Sequence, residues 1–101
     1  MPPGAQNGDL HGYHLFVIRV LGGPAARLDT FNALRAAGIG VQVHYIPIYR
    51  LPYYRDELAY PQDECPATEE YYAGAISLPI FPGMADDDVD RVVSTLIEVL
   101  P

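Results

Sequence analysis

The 101-residue chain contains no lysine; its six basic side chains are all arginine (Arg19, Arg27, Arg35, Arg50, Arg55 and Arg91). Without a side-chain amine there is no Schiff base to a carbonyl compound or to pyridoxal phosphate, and no P-loop lysine for a nucleotide phosphate. Basic charge is scarce altogether. Thirteen acidic residues leave a formal net charge of -7, the wrong sign for nucleic acids and anionic membranes, which are held by clustered lysine and arginine. Tryptophan is absent and cysteine is reduced to Cys65. An internal disulfide is therefore excluded. The flanking Glu64 and Pro66 bring no positive charge that would activate the thiol, which reads as a bystander. No apolar run reaches the ~18–20 residues that span a membrane, and residues 1–12 lack the basic start and apolar stretch of a signal peptide, so a cytoplasmic location is expected.

What is present describes one small globular domain. Half of the residues are hydrophobic and 19% are charged, too apolar a balance for a disordered chain. Residues 1–12 mix Pro, Gly, Asn and Asp without an apolar period and read as a flexible lead-in to a domain over residues 13–101. Tyr13 to Val20 is aromatic, β-branched and apolar on both faces, as in a strand covered on two sides. Gly22-Gly23-Pro24 breaks it. A helix is predicted next, with Pro24 in its first turn, Leu28, Phe31 and Leu34 on its apolar face, and Gly38 as a left-handed stop.

Ile39 to Ile46 alternates, with Ile39, Val41, Val43 and Tyr45 on one face and Gln42 and His44 on the other, predicting a second strand. The proline-punctuated stretch 47–64 allows one or two helical turns at Tyr53–Leu58. A helix from Pro66 to about Ala73 carries Glu69 and Glu70 at its positive end, and Ala75–Leu78 reads as a short strand. The last helix opens on Asp86, Asp87 and Asp88, and Val89, Val92, Val93, Leu96, Ile97 and Leu100 recur at helical spacing. This order predicts an α+β fold, a small sheet with helices packed on it.

Enzyme motifs are few. His11, His14 and His44 make a poor metal set, because an i, i+3 pair on a strand points to opposite faces and no carboxylate converges on it. Ser77 and Ser94 lack a nucleophile turn. The Asp86–Asp90 run lacks the alternating ligand loop of a cation site and suits helix capping. Tyrosine is the unusual feature. Seven of the eight (Tyr45, Tyr49, Tyr53, Tyr54, Tyr60, Tyr71 and Tyr72) lie within residues 45–72. A ring with a wet hydroxyl favours an interface or a ligand wall over a plain core. His44, on the polar strand face, is either solvent-facing or a hydrogen-bond donor to an anionic or hydroxylated ligand.

The run Gly38-Ile39-Gly40-Val41-Gln42-Val43-His44-Tyr45-Ile46-Pro47-Ile48-Tyr49, followed by Pro52-Tyr53-Tyr54, resembles the C-terminal domain of the PLP-dependent nucleotide-sugar aminotransferases (DegT/DnrJ/StrS type). Its wording is nearest to the branch that aminates a UDP-linked 4-keto sugar in pseudaminic acid synthesis. Tyr13–Val17, Cys65–Tyr72 and Ile76–Met84 agree in order and spacing, so the resemblance covers nearly all of residues 13–100.

The resemblance implies the small C-terminal domain of an aspartate-aminotransferase-fold enzyme, with three to four strands and helices on one face. It also implies a homodimer that uses PLP and glutamate. The cofactor phosphate site, the aspartate for the pyridinium nitrogen and the Schiff-base lysine would belong to a large domain absent from these residues. On this reading the chain binds no cofactor and has no catalytic residue of its own. It awaits a large-domain partner and contributes His44 and Tyr49 as UDP-sugar contacts, while Tyr45 packs on the opposite strand face. The rival expectation is a stand-alone carbohydrate- or protein-binding module using the tyrosine-rich loop 45–72. Apolar surface exposed without the large domain predicts self-association.

Overall fold

A computed structural model describes residues 14–101. The expected lead-in at 1–12, together with His11 and Tyr13, lies outside the described residues. Strand β1 (Phe16–Arg19) leads through the turn at Gly22 into helix α1 (Gly23–Ala36). A short 3-10 turn (Ile48–Arg50) and a single π-type turn (Tyr53–Glu57) precede helix α2 (Pro66–Gly74). That helix runs straight into strand β2 (Ala75–Leu78), and helix α3 (Asp86–Val99) closes the chain.

The two strands pair antiparallel, Phe16 opposite Leu78 and Ile18 opposite Ile76. The fold is α+β as expected, but the sheet is narrower than three strands. The predicted strand at 39–46 survives as one bridge between Gln42 and Ser77, closed by Ser77 N–H to Gln42 O (2.7 Å) and Gln42 N–H to Ser77 O (3.2 Å). β2 is only four residues long, and Pro79 just beyond it has no N–H to extend a ladder.

The core lies between one sheet face and helices α1 and α3. Val20, Ile76, Leu34, Ile39, Val41 and Val92 are buried there, with Ile18, Phe31, Leu96 and Val99 against them. In α1 the buried positions are Thr30 and Leu34, whereas Leu28 is 55% exposed. Leu34 and Phe31 of the expected face do reach the core, but the stripe is shifted so that Thr30 takes the buried place and Leu28 faces solvent, a rotation that only the neighbouring elements set. Pro24 does open α1, and Gly38, at φ +83°, ends it as expected. A residue with a side chain is strained at that angle.

Helix α3 begins where the aspartates place it. Of the three, Asp88 supplies the capping oxygen, accepting from the Ala85 N–H at 3.3 Å. Of its apolar stripe Val92 is buried and Leu96 partly so, while Val89, Val93, Ile97 and Leu100 remain exposed. Together with Phe16, Leu78, Ile80 and Met84, the start of that stripe lines an apolar groove of about 260 Å³. No helix among the described residues is long and apolar enough to cross a membrane.

Candidate functional site

The tyrosine-rich stretch folds around one carboxylate. Glu69, in the first turn of α2, accepts from the Tyr49 hydroxyl (2.6 Å) and from Arg50 Nε (3.0 Å), while its second oxygen takes Arg50 Nη2. Tyr49 and Arg50 come from the 3-10 turn that Pro47 initiates, so adjacent residues reach the same carboxylate. Gln62 Nε2 donates to the carbonyls of Tyr49 (2.6 Å) and Tyr60 (2.9 Å), closing the loop on itself. The rings of Tyr49 and Tyr60 lie nearly parallel, 6.3 Å apart.

Between this cluster and the π turn lies an open pocket of about 530 Å³, lined by Tyr49, Tyr54, Tyr60, Leu58, Cys65 and Thr68 among others. Tyr72 of α2 carries two guanidinium groups, Arg27 at 5.0 Å and Arg50 at 5.3 Å from its ring centre. Arg27 also donates to the Tyr72 carbonyl (3.0 Å), a second bond to an oxygen at the end of α2 that already accepts the Ala75 N–H.

The cluster controls its own protonation. Burial, reinforced by the bond to Glu69, pushes Tyr49 from its ordinary value of 10.0 to about 12. The hydrogen bonds from Tyr49, and then from Arg50, hold Glu69 below the ordinary carboxylate value of 4.5. Glu69 binds its proton less readily folded than unfolded, so its contribution to stability is complete above 4.5 and is lost as pH falls through the lowered folded value. Tyr49 behaves oppositely: it stabilises the fold below 10.0 and ceases to do so as pH rises towards 12. Absorbance titration of the phenolates should show one tyrosine ionising late, a component that Tyr49→Phe removes. Glu69→Gln should flatten the acid limb of thermal stability. A Tyr49→Phe titration superimposing on the parent would refute the arrangement.

His44 and Tyr49, the two residues that the resemblance implies as substrate contacts, occupy different neighbourhoods. His44 is half-buried, its Nδ1 2.9 Å from Ser77 Oγ and its ring edge-on to Tyr45. Tyr49 is 6% exposed with its hydroxyl committed to Glu69, so what it presents to the pocket is ring rather than hydroxyl. The two share no hydrogen bond or ring contact among the described residues. Tyr45 does not pack into the core: apart from its contact with the His44 ring it is 69% exposed, because strand pairing stops at Gln42 and the alternation no longer governs which way the chain turns.

Tyr53, Tyr60 and Tyr71 are also exposed. Residues that sequence spacing did not single out for the site are Arg50, Gln62, Glu69 and Ser77. Apart from the Tyr60 carbonyl that Gln62 also holds, the partners that build the site stand 13 to 33 positions away, beyond any local periodicity. Of the candidate metal set, His11 is outside the described residues and His14 is exposed, and no group of three metal-ligating side chains gathers among the described residues.

A two-stranded α+β domain with a tyrosine-walled pocket built on a Tyr-Arg-Glu cluster is the class that this geometry defines. Residues 1–97 match the DegT/DnrJ/EryC1/StrS aminotransferase family, and the chain belongs to that family. It is 34% identical over 101 residues to the spore coat polysaccharide biosynthesis protein SpsC of Bacillus subtilis (strain 168), covering 97% of this chain and 26% of the relative. Protein MJ1066 of Methanocaldococcus jannaschii is 35% identical over 92 residues, covering 89% of this chain and 24% of that one.

Among solved structures, the sugar aminotransferase Spr1654 of Streptococcus pneumoniae in its PMP form superposes with a TM-score of 0.79 at 30% identity, over 85% of this chain and 22% of that one. Its PLP form superposes with a TM-score of 0.68 at 28% identity, over 87% and 24%. The chain thus spans about a quarter of the length of the relatives it matches. The family depends on PLP, but the residues present do not fit that cofactor. The sequence has no lysine, no arginine lines the tyrosine pocket, and Arg27 and Arg50, which flank Tyr72, are engaged with carbonyl oxygen and with Glu69.

Proposed function

We propose that this chain is the small C-terminal domain of a PLP-dependent nucleotide-sugar aminotransferase, and that it shapes the substrate site without performing the chemistry. The observation that carries this reading is the extent of the match. Nearly the whole chain superposes on a sugar aminotransferase, yet it accounts for only 22% of that protein. The missing lysine fits the same division of labour, since the Schiff-base chemistry then belongs to the large domain. The exposed apolar stripe of α3 and the adjoining groove supply a surface for that large domain or for a second copy of the chain.

On this reading the substrate is a UDP-linked 4-keto-6-deoxy sugar of the pseudaminic acid type, aminated from glutamate in the cytoplasm by a homodimer. His44 and Tyr49 are the contacts offered from this domain, His44 through its imidazole and Tyr49 through its ring. The chain alone, given PLP, glutamate and the keto sugar, should transfer no amino group and acquire no stoichiometric protein-bound PLP absorbance. A stable one-to-one PLP adduct would overturn the proposal.

A second reading, a binding module working through loop 45–72, is favoured by the 530 Å³ tyrosine-walled pocket. Titration with UDP and with free sugars, followed by tyrosine fluorescence, separates the two readings. A response to UDP supports the aminotransferase domain, and a response to sugars without the nucleotide supports the module.

A further inference from the structure

Ser77 and His44 form a pair outside the tyrosine pocket. Ser77 sits in β2, 4% exposed, with its N–H and its carbonyl both bonded to Gln42. Its Oγ lies 2.9 Å from His44 Nδ1 and has no other partner among the described residues. That hydroxyl has one proton to place. If Nδ1–H were the donor, the buried O–H would be left without an acceptor, which is costly; an oxygen with two lone pairs accommodates a missing donor more easily. The favourable arrangement has Ser77 donating to an unprotonated Nδ1, and the proton of the neutral ring then resides on Nε2. Nε2 has no protein partner among the described residues and is not among buried unpaired atoms, so it opens to solvent.

We propose that Ser77 is a positioning residue that locks His44 in the Nε2–H tautomer, so that His44 presents a neutral donor to an acceptor oxygen of the substrate. This rests on reading His44 as a substrate contact. It deepens that reading by specifying the atom and its chemistry: Nε2 is a donor to a phosphate or sugar oxygen, neither a base nor a metal ligand. The sheet supplies the rigidity. Ser77 is held by both of its backbone groups, and the Gln42 to which it is tied lies two residues before His44, so the hydroxyl and the ring are referred to the same bridge.

The test is long-range 1H–15N correlation of the imidazole groups in the uniformly 15N-labelled 101-residue chain. His44 should show one tautomer, Nε2–H, whereas exposed His14 should show the averaged pattern of a free ring. Ser77→Thr, which keeps the hydroxyl, should preserve the locked pattern, and Ser77→Ala should convert His44 to the averaged one. An Nδ1–H or averaged pattern in the unsubstituted chain overturns the proposal, whether or not the variants fold. So does an unchanged tautomer in Ser77→Ala with a native amide spectrum.

Addition of UDP, and separately of N-acetylglucosamine, then asks which oxygen is recognised. A shift of the His44 Nε2–H with UDP alone identifies phosphate, and a shift with the sugar alone identifies a sugar oxygen. A locked tautomer that neither ligand moves overturns the substrate reading of His44 while the pairing with Ser77 stands.

Discussion

Ile76→Ala is expected to lower the unfolding free energy by about 2–5 kcal/mol, the cost of lost apolar contact plus the cavity left behind. Ile76 is fully buried in the middle of β2, in one cluster with Leu34 of α1 and Val92 of α3. Small domains have a total stability of roughly 5–15 kcal/mol, so this one change removes a large share of it. Ile97→Ala removes the same atoms from a site that is 69% exposed and should alter stability by no more than about 0.5 kcal/mol. Urea unfolding of the two variants against the parent is the measurement. Equal losses would mean that α3 is packed over a face that the structure leaves open, as it would be inside a stable dimer or against a large domain.

Gly74→Ala should do comparable damage for the opposite reason. A Cβ at position 74 would meet the Val20 carbonyl oxygen at 2.5 Å and the Cγ of Arg19 at 3.0 Å. The arginine stem can swing aside, but the carbonyl cannot. Val20 is tied to this junction by its own N–H, bonded to the Gly74 oxygen at 2.8 Å. Relief requires prising the end of α2 from the end of β1, and overpacking of this kind costs about 1–3 kcal/mol or more. At roughly 4–8 °C per kcal/mol for a domain of this size, thermal unfolding should fall by about 5–25 °C. Gly40→Ala is the matched control, since a Cβ there meets nothing within 4 Å. It should leave the midpoint level or slightly higher by restricting the unfolded chain. A parent-like midpoint for Gly74→Ala would show that the helix and strand do not approach so closely.

Much of the architecture was legible because it rests on local rules. Gly22–Pro24 and Gly38 bracket α1 through turn geometry and a positive φ, Pro66 opens α2, and the aspartate run with its apolar spacing marks α3. The reading failed where an outcome depends on what stands opposite. Nothing local says that the segment at 39–46 would find only one rung of partner strand, or that Leu28 would face solvent while Thr30 was buried.

The site divides in the same way. The tyrosines announced themselves by number, and His44 by its place on a polar face. Glu69, by contrast, read as an ordinary acidic residue at a helix start. Its capture by Tyr49 and Arg50, 20 and 19 residues away, appears only when α2 folds back on the 3-10 turn.

The absence of lysine is a property of the sequence alone, and it denies this stretch of chain the Schiff base on which its family's cofactor chemistry depends. No arrangement in space could restore a missing amine. Tertiary structure decided the rest: which of the tyrosines became a wall, which carboxylate anchored it, and that Ser77 holds the ring of His44. Composition and periodicity act over a few neighbouring residues. Burial, and the hydrogen bonds that burial makes obligatory, depend on residues brought together from far along the chain.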